Sequence, residues 1–274
     1  MKKQIEFTKM VAAGNDFIVI ESSHQVTKLP SHQTLAKKIC DRKYGVGADG
    51  LLILQKSKVA DVKMRIFNPD GSEAEMCGNG ARCVALFSAQ VHKCKSAKVR
   101  IETKVGIIES KVSKEYVKIK LTDPRNIKLD IPIMINNRNI KVNFIDTGVP
   151  HTVILVQGLE KIDVVNLGRQ IRYHKRFQPA GTNVDFVEVS SNDTIKVRTY
   201  ERGVENETLA CGTGSVASAL LYAIRYTLYA NCRINVYTKS GEVLRVYFVK
   251  AKKGFRDVWL EGRAGIVYKG VYYV

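Results

Sequence analysis

The sequence predicts an α+β fold, rich in β-strands, in which two pseudo-symmetric domains each wrap a curled β-sheet around one central buried helix. The first observation behind this prediction is a repeated element, because Cys-Gly-x-Gly occurs at residues 77–80 and again at residues 211–214. The same spacing of 134 residues separates two further pairs of glycines, Gly14 from Gly148 and Gly47 from Gly181. A Gly-x-Glu-x-Glu run also precedes each cysteine, at residues 71–75 and 203–207. These matches indicate one structural unit that is used twice.

Strand-forming segments are the second observation. Short runs rich in β-branched residues, bounded by Gly, Asn, Asp or Ser, predict strands in both halves. In the first half these runs are residues 5–8, 17–21, 51–54, 63–67, 99–103, 107–111 and 117–121. In the second half they are residues 143–146, 152–156, 185–189, 195–199, 234–238, 243–249 and 258–261. A short helix is expected at residues 34–40, with its N-cap at or near Ser31, and a counterpart at residues 167–173.

Two nearly uncharged segments are the third observation. Between Gly80 and Gln90 the one charged residue is Arg82, and between Gly214 and Ile224 there is none. A helix that is apolar on all sides is a buried helix, and one buried helix among many strands implies a sheet curled around it. We expect one domain at residues 1–120, completed by a return strand at about 263–274, and the other at residues 121–262. The cysteines would lie at helix N-termini that point into a cleft between the domains.

Length and composition agree with two domains of ordinary size. The chain has 274 residues, of which 45% are hydrophobic, and this is enough for substantial cores. No run approaches the roughly 18 apolar residues that a membrane span needs. The first residues lack the apolar region of a secretory signal, so we expect a cytoplasmic protein with no membrane partner.

The net charge of +18 is the unusual bulk property. Lysines are scattered along predicted strands, as at Lys111, Lys114, Lys118 and Lys120, and are not gathered into one arm. This distribution indicates a solvated basic surface, and no nucleic-acid partner is expected. The positive field would still help to attract an anionic substrate.

The six cysteines do not form a metal-binding pattern. They are Cys40, Cys77, Cys83, Cys94, Cys211 and Cys232. No two of them form a C-x2-C or C-x4-C pair with histidine partners in zinc spacing, so no metal is predicted. A disulfide framework is not expected in a chain of this length without a secretory signal.

The chemistry of the repeated element follows from its parts. A helix N-terminus presents unpaired backbone N–H groups and a partial positive charge, which lower the pKa of a cysteine placed there. The glycines leave the amides uncovered, so a substrate carboxylate can reach them. Two such elements on opposite faces of a carbon atom would supply one thiolate base and one thiol acid. The residues therefore predict a racemase or epimerase that needs no cofactor.

Several ordered motifs give a resemblance to a known family, and it extends from Phe7 to about Tyr268. In chain order the motifs are Gly-Asn-Asp-Phe at 14–17, Tyr-Gly-Val-Gly-Ala-Asp-Gly at 44–50, Asn-Pro-Asp-Gly-Ser-Glu at 68–73, Met-Cys-Gly-Asn-Gly-Ala-Arg-Cys at 76–83, Gly-Val-Pro-His at 148–151, Gly-Thr-Asn-Val at 181–184, Tyr-Glu-Arg-Gly at 200–203 and Ala-Cys-Gly-Thr-Gly at 210–214. The chain resembles the diaminopimelate epimerases. Proline racemases and phenazine-type isomerases share the two-domain plan, but the segment at 77–83 points to the epimerases.

The resemblance implies interconversion of LL- and meso-2,6-diaminoheptanedioate without pyridoxal phosphate or any other cofactor. This reaction serves the synthesis of lysine and peptidoglycan precursors. By the pattern of the family, Cys77 takes the proton from the LL form and Cys211 takes it from the D-centre of the meso form. A small-molecule substrate and a homodimer are the implied partners.

The resemblance also implies roles for other residues. His151 and Glu201 match the polar partners of the thiols. The residues that match the substrate-holding positions, chiefly at the end that does not react, are Asn15, Asn68, Asn183 and Arg202. The backbone amides expected to hold the reacting carboxylate are those of Gly78, Asn79, Gly212 and Thr213.

The chain departs from the pattern at two places. Val149 stands where many members have an asparagine, and Gly50 stands where some have a glutamine, so two polar contacts with the substrate are missing. Two other functions fit parts of the sequence. One is a two-thiol racemase for a different amino acid, and the other is a basic nucleic-acid-binding protein that retains the fold.

Overall fold

The computed structural model describes residues 4–22, 31–91, 97–227, 231–252 and 254–274. The chain divides into two compact units. The first unit is Met1–Ile119 together with Gly262–Val274, and the second unit is Lys120–Glu261. Within the described residues, every helix is too short or too polar to span a bilayer.

The first unit has two helices and nine strands in its described residues. The helices are α1 (His32–Ile39) and α2 (Gly78–Val91). The strands are β1 (Gln4–Ala12), β2 (Asn15–Glu21), β3 (Gly50–Gln55), β4 (Val62–Phe67), β5 (Glu73–Ala74), β6 (Lys98–Thr103), β7 (Gly106–Ser113), β8 (Tyr116–Lys120) and the late strand β18 (Gly265–Tyr273).

The second unit has the same set of elements in its described residues, with two additional 3-10 turns at Leu159–Lys161 and Lys175–Phe177. Its helices are α3 (Val164–Arg172) and α4 (Gly212–Tyr226). Its strands are β9 (Arg125–Ile135), β10 (Arg138–Asp146), β11 (Pro150–Leu155), β12 (Asn183–Ser191), β13 (Thr194–Glu201), β14 (Asn206–Thr208), β15 (Asn231–Tyr237), β16 (Val243–Lys250) and β17 (Phe255–Arg263).

Both units follow one strand topology. In the first unit, β1 pairs antiparallel with β18 and β2, β2 runs parallel to β3, and β3 is antiparallel to β4. Strand β4 pairs antiparallel with β5 and parallel with β6, which leads into antiparallel β7 and β8. The second unit repeats this order from β9 to β17, with the parallel pairs β11–β12 and β13–β15 in the equivalent places. The predicted double use of one β-rich unit is confirmed.

One buried helix occupies the centre of each unit. Every residue of α2 from Asn79 to Ser88 is buried, and so is every residue of α4 from Gly214 to Ala223. Helix α2 packs against strands on several sides, among them β1, β6 and β7, while α4 packs against β11, β12 and β16. An all-round apolar surface is stable only when it is enclosed in this way. The predicted central helices are confirmed, and each begins directly after its cysteine, at Gly78 and at Gly212.

The second helix of each unit covers the other face of the sheet. In the first unit, Leu35 and Ile39 of α1 share a core with Leu51 and Ile53 of β3. The intervening residue Leu52 faces α2, where its side chain lies beside Gly80. Side chains alternate along a strand, so β3 serves two cores at once. Its continuous apolar sequence follows from this burial on both faces.

The N-caps set the starts of α1 and α3. The Ser31 hydroxyl accepts the N–H of Thr34 at 3.3 Å, as the sequence predicts. In the second unit, Asp163 accepts the N–H of Asn166 at 3.1 Å, so α3 starts three residues before the predicted position. The sequence analysis did not recognise Asp163 as an N-cap, because a 3-10 turn at Leu159–Lys161 comes just before it and no loop separates the two elements clearly.

Three strands were not predicted. Strands β5 and β14 are two and three residues long, too short for any periodic pattern. Strand β9 alternates buried isoleucines, at 131, 133 and 135, with exposed residues. Its first half is polar, Asn126 and Asp130 have positive φ angles, and Pro132 interrupts the run, so its local signal is weak.

A three-member ion cluster recurs in both units and corrects one motif alignment. Arg65 forms a forked pair with Glu73, with N···O distances of 2.8 and 3.1 Å, and Lys104 adds a third contact. The equivalent cluster in the second unit is Arg198, Glu207 and Lys239. Alignment by the Gly-x-Glu-x-Glu run alone would equate Glu73 with Glu205. The contacts equate it with Glu207, at the spacing that separates the two cysteines.

Candidate active site

Cys77 precedes α2 and bonds to the first turn of that helix. Its Sγ accepts the N–H of Gly80 at 3.4 Å, and its carbonyl oxygen accepts the N–H of Ala81 at 2.8 Å. The residue is partly exposed. A Cβ at Gly80 would lie 3.2 Å from the side chain of Leu52, so the helix start packs closely against β3. The thiol is therefore held at a helix N-terminus, as the sequence predicts.

Cys211 has the same geometry at the start of α4. Its Sγ accepts the N–H of Gly214 at 3.4 Å, and its carbonyl oxygen accepts the N–H of Ser215 at 2.9 Å. A Cβ at Gly214 would collide with the carboxylate of Asp185, so this position requires glycine. The two Cys-Gly-x-Gly elements are thus matched in structure as well as in sequence.

The pKa of Cys211 differs from the sequence prediction. Burial raises the pKa of this thiol well above its usual value, and the carboxylates of Glu201 and Asp185 raise it further. Hydrogen bonds from Thr213 and Gly214 favour the thiolate but do not outweigh burial. The prediction that a helix N-terminus lowers the pKa is therefore wrong for Cys211, because burial of the thiol, together with two acidic neighbours on adjoining strands, outweighs the effect of the helix.

A line of hydrogen bonds connects Cys211 to a buried carboxylate. Cys211 Sγ lies 3.5 Å from Thr213 Oγ1, and Thr213 Oγ1 lies 3.0 Å from His151 Nε2. On the other side of the ring, His151 Nδ1 lies 2.7 Å from Asp185 Oδ2. The second oxygen of Asp185 accepts the hydroxyl of Thr199 at 2.7 Å. His151 and Asp185 are both fully buried.

Glu201 ends β13 and lies near the same group of residues. Burial raises the pKa of the Glu201 carboxyl, while the proximity of His151 opposes that rise. The charge of Glu201 acts on the thiol of Cys211, so Glu201 lies near one of the two thiols for which it was predicted to be a polar partner.

In the first unit, a chain of side-chain amides begins at the start of α2. The guanidinium of Arg82 donates to Asn79 Oδ1 at 2.7 Å, and Asn79 Nδ2 donates to Asn15 Oδ1 at 3.1 Å. Asn15 Nδ2 then donates to Asp49 Oδ2 at 2.7 Å. A guanidinium can only donate and a carboxylate can only accept, so the two ends determine the orientation of both amides. Each amide keeps one N–H for another acceptor.

The carboxylate at the end of that chain belongs to a larger ionic cluster. Arg42 bridges Asp16 at 2.8 Å and Asp49 at 2.7 Å. The buried amine of Lys9 pairs with Asp16 at 2.6 Å and also contacts the carbonyl oxygen of Gly47. Burial opposes ionisation of Asp16, but the bonds from Arg42 and Lys9 outweigh it and hold the pKa of Asp16 well below its usual value.

The remaining predicted residues, Asn68, Asn183 and Arg202, bond to other parts of the protein outside these two hydrogen-bonded lines. The exposed Asn68 donates to the hydroxyl of Ser72 at 2.9 Å, in the turn after β4. Asn183 donates to the carbonyl oxygen of Pro150 at 3.1 Å and accepts the backbone N–H of Arg202 at 2.8 Å. The guanidinium of Arg202 donates to the carbonyl oxygen of Ala180 at 2.9 Å. Asn183 therefore ties the start of β11 to the loop that bears Arg202.

The structure gathers the predicted residues into two groups. Cys77, Gly78, Asn79 and Asn15 meet at the start of α2, while Cys211, Gly212, Thr213, His151 and Glu201 meet at the start of α4. Sequence reasoning missed the polar residues behind them, namely Asp49, Arg82, Asp185 and Thr199. All four lie inside or directly beside the motifs of the sequence analysis, and polar residues at strand and helix positions that should be buried were the available signal.

Comparison with solved structures establishes the class of fold. The structure matches a phenazine biosynthesis protein of the PhzF family from Bacillus anthracis with a TM-score of 0.75, at 18% identity, over 99% of this chain and 100% of that one. It matches a hydroxyproline epimerase from Agrobacterium vitis with a TM-score of 0.73, at 16% identity, over 99% of this chain and 91% of that one. The fold is therefore the two-unit fold that these proteins share.

Sequence comparison identifies the family within this class. The profile of diaminopimelate epimerase matches residues 7–127 and 143–256. The chain is 42% identical over 276 residues to the diaminopimelate epimerase of Aquifex aeolicus, with 97% of each chain covered. It is 41% identical over 279 residues to that of Methanocella arvoryzae, covering 97% of this chain and 96% of the relative. The chain belongs to the diaminopimelate epimerase family. It is an isomerase.

Proposed function

We propose that this protein interconverts LL- and meso-2,6-diaminoheptanedioate by a two-base mechanism that uses thiols and no cofactor. The reaction is a step in the synthesis of lysine and peptidoglycan precursors. The observation that carries the proposal is the matched pair of helix starts, in which Cys77 and Cys211 each accept an N–H at 3.4 Å from the glycine three residues on. Inversion at carbon needs one proton-transfer group on each face, and each unit supplies one.

The proton transfers follow from the states of the two thiols. In the direction from LL to meso, the thiolate of Cys77 removes the α-proton and the thiol of Cys211 delivers a proton to the opposite face. The raised pKa of Cys211 suits it to be the proton donor. In the reverse direction the roles exchange, so Cys211 must become the base.

The carbanionic intermediate requires stabilisation of the reacting carboxylate. We assign this role to the backbone N–H groups of Gly78, Asn79, Gly212 and Thr213, which lie in the first turns of α2 and α4. Uncapped N–H groups and the helix dipole favour negative charge at these positions. Because the donors are already in place, they need no reorganisation as charge builds up. Glu201 and His151 adjust the proton affinity of Cys211 from beside it.

Recognition of the second amino-acid end of the substrate makes the enzyme selective for diaminopimelate. We assign its recognition to Asn15, Asn68, Asn183 and Arg202. Amides donate and accept, so they can bind both a carboxylate and an ammonium group. Arg202 can make a forked contact with the distal carboxylate. At Val149 and Gly50, where polar side chains are absent, water or backbone groups replace the missing contacts.

Two further properties belong to the proposal. The protein acts in the cytoplasm, where cysteines remain reduced and available for proton transfer.

It forms a homodimer, and large apolar side chains exposed on β18, at Val267, Val271 and Tyr273, support an association surface there. Sedimentation equilibrium gives the mass in solution, and a monomer at micromolar concentration would refute the dimer.

The deciding experiment follows proton exchange by NMR in D2O with purified protein and LL-diaminopimelate. We expect deuterium to enter one α-carbon as the meso isomer forms, without added cofactor. No exchange with diaminopimelate, but exchange with another amino acid, would favour a two-thiol racemase of different specificity. No exchange with any amino acid, together with salt-sensitive binding to DNA or RNA, would favour the nucleic-acid-binding alternative.

A further inference from the structure

The four groups Cys211, Thr213, His151 and Asp185 form a continuous path inside the second unit. The successive distances are 3.5, 3.0 and 2.7 Å. Asp185 uses both oxygens, one for His151 and the other for the hydroxyl of Thr199. His151, Asp185 and Thr199 are buried, so the path is shielded from solvent behind the thiol.

The donors and acceptors along this path allow two arrangements. An ionised Asp185 can only accept, so His151 Nδ1 bears a proton. When the imidazole is neutral, Nε2 accepts the only hydroxyl proton of Thr213, and Thr213 Oγ1 then accepts the S–H of Cys211. When the imidazole is protonated, all bonds beyond the ring reverse: Nε2–H donates to Thr213 Oγ1, and the Thr213 hydroxyl donates to the thiolate of Cys211.

We infer that Thr213 relays a proton between Cys211 and His151, and that Asp185 is the positioning residue that makes His151 the acceptor. The step balances within the protein. The S–H bond of Cys211 breaks and its proton binds Thr213 Oγ1, while the original hydroxyl proton of Thr213 moves to His151 Nε2. Thiol and neutral imidazole become thiolate and imidazolium. The inference rests on the proposed function, in which Cys211 must act as the base in the reaction from the meso form.

The relay removes a difficulty in that direction. The Cys211 thiol is buried near Glu201 on β13 and Asp185 on β12, and both carboxylates disfavour the thiolate. Releasing the proton to solvent would leave a buried thiolate beside these two carboxyl groups without a counter-charge. Transfer to His151 on β11 instead places a positive charge beside Asp185, and the net charge of the group does not change. A preorganised counter-charge of this kind is worth most where water is excluded.

The first unit provides an internal comparison. The position of Thr213 corresponds to Asn79 at the spacing of 134 residues. Phe17 pairs with Gly50 as His151 pairs with Asn183, so Phe17 and Leu52 occupy the positions of His151 and Asp185. Leu52 lies beside Gly80 as Asp185 lies beside Gly214. Phe17 and Leu52 are buried apolar residues. The shared fold therefore forms without the relay residues, and their presence in one unit indicates a chemical role for them. Cys77 is partly exposed, whereas Cys211 is buried.

The kinetic test compares T213V, T213S and D185N with wild type in the meso direction across pH. We expect T213V to lower kcat/KM at least about a hundredfold and to move its acidic limb to higher pH by a unit or more, because Cys211 must then ionise without the imidazole. D185N should also lower kcat/KM at least about a hundredfold, because His151 is no longer held as the proton acceptor. T213S, which keeps the hydroxyl, should have a kcat/KM close to that of wild type and the same acidic limb. The matched control is T152V. It removes the buried hydroxyl of Thr152, which lies on the same strand as His151 but donates to the hydroxyl of Thr182.

A second measurement needs no substrate, so it separates this inference from the proposed function. Nitrogen-15 NMR of His151, assigned with H151Q, should show a protonated Nδ1 and a bare Nε2 in wild type near neutral pH. D185N should yield mixed tautomers. Thermal unfolding identifies any variant that fails to fold. The relay would be overturned if T213V kept the wild-type kcat/KM and the wild-type acidic limb, or if T213S were as impaired as T213V. It would also be overturned if the tautomer of His151 were unchanged in D185N.

Discussion

At the scale of single residues, the orientation of side-chain amides is determined by charged groups that lie behind them. The Arg82–Asn79–Asn15–Asp49 chain has a donor-only group at one end and an acceptor-only group at the other. If either amide flipped, its NH2 group would face another donor and its oxygen would face another acceptor. Asn15 and Asn79 therefore both present an N–H, the group that a substrate carboxylate requires.

Replacing Asp49 with Asn should weaken substrate binding. An amide at position 49 can accept or donate, so Asn15 is no longer held in one orientation. We expect the KM for diaminopimelate to rise about tenfold, the value of roughly one hydrogen bond, with a smaller change in kcat. Steady-state kinetics measures both. Asp41→Asn is the control, since Asp41 lies in the same loop and its carboxylate accepts the backbone N–H groups of Lys43 and Tyr44. A KM within twofold of wild type would contradict the orienting role.

Arg202→Met tests recognition of the distal end of the substrate. Removing the cation from a desolvated ion pair costs about 2–5 kcal/mol, so we expect kcat/KM for diaminopimelate to fall at least about a hundredfold. Lysine, which lacks the distal carboxylate, should be a poor substrate for wild type and variant alike. The exposed Arg176→Met serves as the control. If Arg202→Met stays within a few-fold of wild type, the distal site belongs to Asn68 and Asn183.

At the scale of elements, close packing explains which glycines the helices need. Gly168 lies in α3, and a Cβ there would lie 2.5 Å from the Cβ of Tyr200 on β13. Tyr200 is 1% exposed and cannot move aside. The helix approaches β13 closely only because this position has no side chain.

Gly168→Ala should therefore destabilise the protein, against the usual trend. In a helix interior, Ala is normally more stable than Gly by about 0.5–1 kcal/mol. Here we expect the free energy of unfolding to fall by about 1–3 kcal/mol, as overpacking typically causes. Urea denaturation measures the change. Gly265→Ala is the matched control, because a Cβ at Gly265 meets nothing within 4 Å. Unchanged or increased stability in Gly168→Ala would show that α3 can shift.

The repeated ion cluster gives a prediction with a definite pH dependence. Bonds from Arg65, followed by Lys104, outweigh burial and lower the pKa of Glu73 to about 2. A carboxyl whose folded-state pKa is lowered stabilises the fold above its unfolded pKa of about 4.3 and loses that contribution as pH falls towards 2. We expect Glu73→Gln to lower the unfolding free energy by about 1–3 kcal/mol at pH 7 and by progressively less below pH 4.

Urea denaturation of both proteins from pH 7 to pH 2.5 tests this dependence. The exposed Glu109→Gln on β7 is the control and should have little effect at any pH. If Glu73→Gln lowered the unfolding free energy equally at pH 7 and pH 2.5, the Arg65–Glu73 contact would stabilise the fold by packing and neutral hydrogen bonds, without a contribution from charge.

At the scale of the whole molecule, each unit contributes one thiol to the proposed reaction. Cys77→Ala and Cys211→Ala should each abolish epimerisation at saturating substrate, because inversion needs a group on both faces. Cys40, Cys83 and Cys232 should be replaceable one at a time with activity retained. The same is expected for Cys94, which lies outside the described residues. Near-normal turnover in either of the first two variants would refute the two-base mechanism.

Much of this organisation was accessible from the sequence because it is repeated. Glycine spacing and the two apolar helices predicted the doubled β-rich fold, and α2 and α4 lie where they were expected. The raised pKa of Cys211 was not accessible, since it depends on how deeply the thiol is buried and on Glu201 and Asp185, which are distant in sequence and adjacent only after β12 and β13 pair. Strand β9 was missed for a similar reason, because pairing with β10 outweighs its poor local propensity.

The pairing of β18 with β1 has a consequence for synthesis on the ribosome. The first unit needs a strand that is translated after the whole of the second unit, whereas Lys120–Glu261 is continuous. Domains usually fold in the order in which they emerge. In this chain the later unit has all its strands first, and the earlier one waits with β1 unpaired on one side. Once residues up to about 261 have left the ribosome, the second unit can be complete while the first still lacks β18. This is the stage at which a chaperone would have most exposed surface to protect.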